Sequence, residues 1–352
     1  MAKLKSVIIG CGAISREHLS ALSDLDNVEV AAVCDISAAR AEAAAERFGI
    51  ANWYCNYEDL LKHIRPDLVH VATPPTSHFT IAKACLSAGL NVLCEKPITI
   101  TYQEFCLLKQ LANAKHCMLM ENQNYRFHSS VQRICDLLSS GKLGEIVDVQ
   151  IFISLDIYAP GSPYVDVNVP HYSAALRGGV AGDFLTHMAY LALGFAGPIR
   201  GLRTIWTKQR QDSPIPADEF RGLVQGERAT AYLAFSGSAQ PDGFWVRISG
   251  TRAHVEANLF EPPRLTTRGR RSREPAVSKL VDGITESRDV FKGTIAGFWR
   301  KLGGVSSYDG LHELLARTYR ALEMHAPPPI SLEEIDETAR LVDQFSAAEF
   351  KL

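Results

Sequence analysis

Ser6-Val7-Ile8-Ile9-Gly10-Cys11-Gly12-Ala13-Ile14-Ser15 decides the fold. A short apolar run stops at a glycine, a second glycine follows two residues later, and the segment beyond reads as a helix. That is the strand-turn-helix order of a dinucleotide-binding βαβ unit. Gly10 permits the tight turn, and Gly12 lets the backbone approach a pyrophosphate at the positive end of the helix. Ser15 replaces the usual third glycine and is small enough for helix to pack on strand. Cys11, Ala13 and Ile14 complete the loop that would face the nucleotide. Such a run also fits a plain strand-to-helix turn, so its context matters: the second strand ends at Asp35, 25 residues beyond Gly10. An acidic residue near this spacing takes the adenosine ribose hydroxyls and repels a 2′-phosphate. The expected cofactor is NAD, and Arg40, a turn into the next helix, keeps NADP open.

Working outward, strand-like runs over 6–9, 28–34, 68–72, 91–94 and 117–121 alternate with helical patterns over 17–25, 38–48, 58–64 and 77–88. That alternation specifies a parallel sheet. After Gly144 the period changes to two, over 146–155, 199–206, 220–225, 230–235, 245–249 and 254–258, and the helices between strands vanish. An antiparallel sheet is expected there. Helices over 311–325 and 332–350 close the chain, split by Pro327-Pro328-Pro329. The expected fold class is α/β plus α+β. A Rossmann domain spans 1–123, and an α/β domain with an open, mainly antiparallel sheet spans 124–352, its C-terminal helix returning to the first domain.

A chain of 352 residues is too long for one core, which agrees with two domains. Its hydrophobic fraction of 46% and charged fraction of 22% are ordinary for a globular protein. A net charge of -2 gives no pull toward nucleic acid or an anionic membrane, leaving small-molecule chemistry as the favoured class. No run approaches the roughly 18 apolar residues of a membrane span. The eight cysteines lie within the first 135 residues without metal or disulfide spacing, and read as free thiols in a reducing cytoplasm. No metal site is evident. Five arginines between 264 and 273 read as a solvated loop, with a phosphate-binding arm as the alternative.

Thr73-Pro74-Pro75-Thr76-Ser77-His78, Glu95-Lys96-Pro97, and Gly178-Gly179 followed by Asp183 and His187 join the glycine-rich turn in one pattern. Together they resemble the glucose-fructose oxidoreductase / inositol dehydrogenase / rhizopine catabolism family over nearly the whole chain. The resemblance implies a nicotinamide-dependent oxidoreductase acting on a sugar, cyclitol or related polyol. It assigns Lys96 as the catalytic lysine, places Glu95 near the nicotinamide ribose, and implies a cis Lys96–Pro97 peptide. Thr73, Pro74, Pro75, His78 and Lys96 itself would line the cofactor, with Arg126 after the last Rossmann strand. The open sheet face would make a homodimer or homotetramer.

On a helix Asp183 and His187 stand one turn apart and face the same way. With Lys96 they make a proton-transfer set: His187 takes the hydroxyl proton, Lys96 binds the same oxygen, and Asp183 orients substrate or imidazole. The chain departs from the commoner family pattern at Leu185, where many members carry glycine, and at His171-Tyr172, where many carry Trp-Arg. His171, Tyr172 and Arg177 are therefore candidate substrate contacts. Two rival functions stay open: a redox-neutral glycosidase using bound NAD, and a non-catalytic NAD-binding regulator.

Overall fold

The computed structural model describes residues 3–166, 171–213, 215–261, 266–269, 288 and 308–347. The chain divides into two compact units, Met1–Asn124 with Gly310–Asp343, and Tyr125–Asp309 with Gln344–Leu352.

The first unit alternates β1 (Leu4–Ile9), α1 (Ala13–Ser23), β2 (Val28–Cys34), α2 (Ala38–Phe48), β3 (Trp53–Tyr54), α3 (Tyr57–His63), β4 (Leu68–Val71), α4 (Pro75–Ser87), β5 (Val92–Cys94), α5 (Tyr102–Lys115) and β6 (Leu119–Glu121). All strand pairs are parallel in the order β3-β2-β1-β4-β5-β6, the doubly wound arrangement with its reversal between β1 and β4. Every residue of β4, β5 and β6 is buried, as a parallel sheet covered on both faces requires. Helix α2 stops at Gly49, which adopts the left-handed conformation at φ 65°. Helix α1 starts at Ala13, four residues earlier than expected, directly on the glycine turn. Helix α5 was not anticipated, although Thr101 and Glu104 form a capping box at its start.

The second unit contains α6 (Ser129–Ser139), β7 (Ile146–Ser154), α7 (Gly179–Ala196), β8 (Ile199–Thr207), β9 (Glu219–Gly226), β10 (Thr230–Ser236), β11 (Gly243–Gly250), β12 (Ala253–Asn258) and β13 (Thr266–Gly269). Its sheet runs β13-β12-β11-β7-β10-β9-β8. The sheet is mainly antiparallel, as expected, with one parallel pair, β10 with β7. Helices do not vanish after Gly144, contrary to expectation: α7 is 18 residues long and packs on the sheet. Nearly all its residues are buried, so it carries no polar face and no helical period for a sequence reading to find.

The segment Asp309–Met324 forms α8 and Leu332–Ala347 forms α9, and Gly310–Asp343 belongs to the first unit. In the arginine-rich segment, Thr266–Gly269 is strand, while Arg264, Arg270, Arg271 and Arg273 lie outside the described residues. Among the described residues, no helix is long and apolar enough to cross a membrane.

Candidate active site

The two glycines of the first turn have different jobs. Gly10 sits at φ 101°, and a Cβ there would lie 2.5 Å from the Ala72 carbonyl oxygen, so the backbone of the turn needs glycine. Gly12 is the N-cap of α1 at an ordinary φ of -80°, and a Cβ on it would meet nothing within 4 Å. Nothing in the protein demands glycine there, whereas a pyrophosphate approaching the helix N-terminus would. Ser15 is buried, its hydroxyl donating to the Gly12 carbonyl at 2.7 Å.

Asp35 does more than the spacing implied. One carboxylate oxygen accepts the Cys11 N–H and the other the Ser37 N–H, both at 2.8 Å, so the residue also fixes the glycine loop. Burial, aided by Asp35, pushes the Cys11 thiol up to about 12, and burial does the same at Cys34. Both therefore remain thiols and act as small packing groups. Ile36, beside Asp35, is 96% exposed. A substitution separates the loop contact of Asp35 from its expected ribose contact. Asp35→Asn keeps an acceptor but loses the charge, and should swing the ratio of NAD to NADP dissociation constants about tenfold toward NADP. Equal changes for both cofactors would show that the carboxylate serves the loop alone.

His78 is buried, with Nδ1 2.8 Å from the Pro97 carbonyl and Nε2 2.8 Å from that of Thr73. Its two nitrogens face backbone carbonyls, one N–H donating to one of them, which ties the Thr73 loop to the Glu-Lys-Pro turn. Pro74 caps α4 and Pro75 occupies its first turn, where a missing N–H costs nothing. The Thr73 hydroxyl accepts from Ser77 at 2.8 Å.

At the end of β5 the Lys96–Pro97 peptide is cis. Lys96 is half-buried, and its N–H donates to Glu95 Oε2 at 3.2 Å. Glu95 also accepts from the Asn122 side chain and lies 2.8 Å from His18 Nε2. On the far side of the turn, Glu121 accepts the Ile98 N–H at 2.9 Å. The sequence reading missed His18, Glu121 and Asn122, which lie on neighbouring elements and carry no motif of their own.

In the second unit the glycine pattern shapes the start of α7. A Cβ on Gly178 would strike the Trp206 ring, and one on Gly182 would strike the Arg177 carbonyl. Asp183 and His187 are both buried on this helix. The Tyr172 hydroxyl donates to Asp183 Oδ2 at 2.9 Å. His187 Nδ1 lies 2.8 Å from the hydroxyl of Tyr190, whose oxygen accepts the Tyr125 N–H at 3.2 Å, and Tyr125 packs edge-on against the imidazole with ring centroids 4.9 Å apart. Tyr190 thus sets the orientation of His187. Its spacing of three residues from His187 was the available signal.

His171 accepts the Ser173 N–H and packs between Tyr164 and Tyr172, with centroids 4.7 and 4.1 Å away. Arg177 is exposed. Arg126 is half-buried on a single 3-10 turn, and its carbonyl accepts from Gln132 at 2.6 Å. Among the described residues, no group of three or more His, Cys, Asp or Glu side chains is placed to hold a metal ion.

Residues 4–123 match the model of the oxidoreductase family with an NAD-binding Rossmann fold. A dTDP-3,4-didehydro-2,6-dideoxy-alpha-D-glucose 3-reductase from Saccharopolyspora spinosa is 32% identical over 262 residues, 73% of this chain and 75% of the relative. D-apiose dehydrogenase from Paraburkholderia graminis is 30% identical over 168 residues, which spans 47% of this chain and only 44% of that relative's length. Among solved structures, an oxidoreductase from Agrobacterium radiobacter in complex with NAD+, L-tartaric acid and magnesium superposes with a TM-score of 0.78. That superposition covers 98% of this chain and 97% of the other at 18% identity, a likeness of fold.

Proposed function

Because this chain belongs to the glucose-fructose oxidoreductase / inositol dehydrogenase / rhizopine catabolism family of NAD-binding oxidoreductases, we propose that it transfers hydride between nicotinamide and a secondary alcohol or ketone of a sugar, cyclitol or sugar derivative. The observation that carries this reading is the buried Asp183 and His187 pair, each held by a tyrosine hydroxyl, on one face of α7. Burying two ionisable groups one turn apart is costly for a fold that makes no use of them.

When bound, the nicotinamide ring supplies the hydride chemistry that side chains lack. Gly10, Cys11, Gly12, Ala13 and Ile14 would hold the pyrophosphate, and Asp35 the ribose. His187 exchanges the hydroxyl proton, with its Nδ1 held 2.8 Å from the Tyr190 hydroxyl. Lys96 binds the same oxygen, and Asp183 orients the substrate. The aromatic group of Tyr164, His171 and Tyr172 offers apolar faces suited to the C–H surface of a sugar ring.

Relatives named as a sugar dehydrogenase and a nucleotide-sugar reductase support a carbohydrate substrate. They do not favour the glycosidase or regulator alternatives. Steady-state formation of NADH across a panel of free sugars, cyclitols and nucleotide sugars tests the reading. Tight NAD binding with no turnover of any of them, in either direction, would sink it.

The same reading includes self-association through the open face of the second sheet. Ile205, Leu223 and Tyr232 are exposed there, and Phe152 stacks on Trp245 with centroids 5.5 Å apart. The opposite face is buried. So many apolar groups on one face suit a second copy of the chain. Leu223→Lys should shift the sedimentation coefficient to that of the monomer. A wild-type protein that already sediments as a monomer would end this part of the proposal. The eight cysteines are all unpaired, in keeping with a reducing cytoplasm.

A further inference from the structure

Four buried polar side chains from four separate elements of the first unit form a continuous line. The Tyr319 hydroxyl of α8 lies 2.8 Å from His70 Nε2 of β4, and His70 Nδ1 lies 2.9 Å from His18 Nδ1 of α1. His18 Nε2 in turn lies 2.8 Å from Glu95 Oε1 at the end of β5. The histidine rings meet edge to face, with centroids 5.2 Å apart and planes at 88°. All four side chains are buried, so unmatched hydrogens or lone pairs would be costly.

Counting protons gives the line a direction. Glu95 takes the Asn122 amide on the oxygen that faces His18 and the Lys96 N–H on the other. Both groups only donate, so an ionised carboxylate satisfies them and draws a hydrogen from His18 Nε2 as well. Two facing Nδ1 atoms need one hydrogen between them. With a neutral His18, that hydrogen sits on His70, whose Nε2 lone pair then accepts from the Tyr319 hydroxyl. In that state every hydrogen points toward Glu95, whereas a protonated His18 would turn the His18–His70 and His70–Tyr319 hydrogens the other way. Burial first, and then His18, holds the His70 pKa well below the usual histidine range, so His70 supplies one hydrogen and no charge. Burial raises Tyr319 and keeps its hydroxyl protonated. For Glu95, burial alone would raise the pKa, but the hydrogen bond and, when protonated, the charge of His18, then the Asn122 amide and the charge of Lys96, bring it below the usual carboxylate range.

We propose that His18, His70 and Tyr319 are positioning residues for the Lys96 step, a directed hydrogen-bond chain anchored on α8 that keeps Glu95 an acceptor and so holds the Lys96 backbone. The proposal rests on the reading of Lys96 as the group that binds the reacting oxygen. The line's other charged or titratable neighbours are His78 and Glu121, which feel Glu95 and Lys96 across the turn, Cys94, which feels Glu95 and Glu121, and Asp67, which faces Tyr319.

Two measurements test it. The first uses ¹⁵N spectra of the full-length, histidine-labelled protein without substrate, at a pH above the ordinary histidine range. His70 should carry its hydrogen on Nδ1 and His18 on Nε2, and Tyr319→Phe, which removes one hydroxyl and little else, should shift the His70 signals. The opposite tautomers in wild type would overturn the proposal. The second compares His18→Leu with His18→Gln, whose amide can still donate to Glu95. The leucine variant should lose about tenfold or more in kcat and change the pH profile of kcat, while the NADH dissociation constant stays within about twofold. The glutamine variant should recover most of that loss. If both fall equally, with lowered Tm and an unchanged pH profile, the chain only packs the core and the proposal fails. Should wild type turn over no sugar at all, the functional reading has failed, and the ¹⁵N tautomers alone decide the chain.

Discussion

Lys96→Ala and His187→Ala each lower turnover by roughly a hundredfold or more, the range typical of losing a group that handles the reacting proton. NAD affinity changes little in either, because neither side chain belongs to the glycine turn or the Asp35 loop. If the two residues act on one oxygen, removing the second costs little once the first is gone. The double variant should then be hardly slower than the poorer single one, measured as kcat with the sugar that the panel identifies. Tyr190→Phe supplies the graded control. It leaves the imidazole in place but deletes the hydroxyl 2.8 Å from Nδ1, so its loss should be smaller than that of His187→Ala. Near-wild-type turnover in either alanine variant, or losses that multiply in full, would remove the pair from the mechanism.

How far these residues were legible depended on how local their signal was. The glycine turn, Asp35, the Glu-Lys-Pro step and the i, i+4 pair on α7 are short motifs, each readable within ten residues or at a known spacing. His18, His70 and Tyr319 are not: single residues more than fifty positions apart, joined only when α1, β4 and α8 pack. Tyr190 lay between these cases, one helical turn from His187 but hidden in a run of apolar neighbours.

The same physics explains the errors in the fold. Period-two patterning gave six of the seven strands of the second sheet to within about two residues and missed β13, which lies in the segment read as a loop. It could not reveal α7, whose buried surface leaves no polar face, or that β7 and β10 run parallel, since alternation reports which side of a strand is buried and not its direction. His78 is a different case. Its motif is local, but the motif could not show that the imidazole lies buried between two carbonyls and ties two backbone segments together.

The second large effect separates the two glycines of the turn. Gly10→Ala should damage the fold: alanine at φ 101° is strained by about 1–3 kcal/mol, and its Cβ meets the Ala72 carbonyl oxygen at 2.5 Å and the Thr73 nitrogen at 2.7 Å. Neither neighbour is a flexible side chain that can step aside, so overpacking adds about 1–3 kcal/mol. The sum is a large part of the roughly 5–15 kcal/mol that holds a domain together. Gly12→Val should do the reverse. Its backbone suits any residue, its Cβ enters open space, and the poorer N-cap costs about 1 kcal/mol. The fold should survive with a slightly lower Tm, while the branched side chain takes the space over the helix N-terminus and raises the NAD dissociation constant about tenfold to a hundredfold. Thermal melts and calorimetric NAD titrations on the two variants read both effects at once. Wild-type NAD affinity in Gly12→Val would show that the dinucleotide does not cross α1 at this turn, and a wild-type Tm in Gly10→Ala would show that the turn tolerates the side chain its backbone is built to exclude.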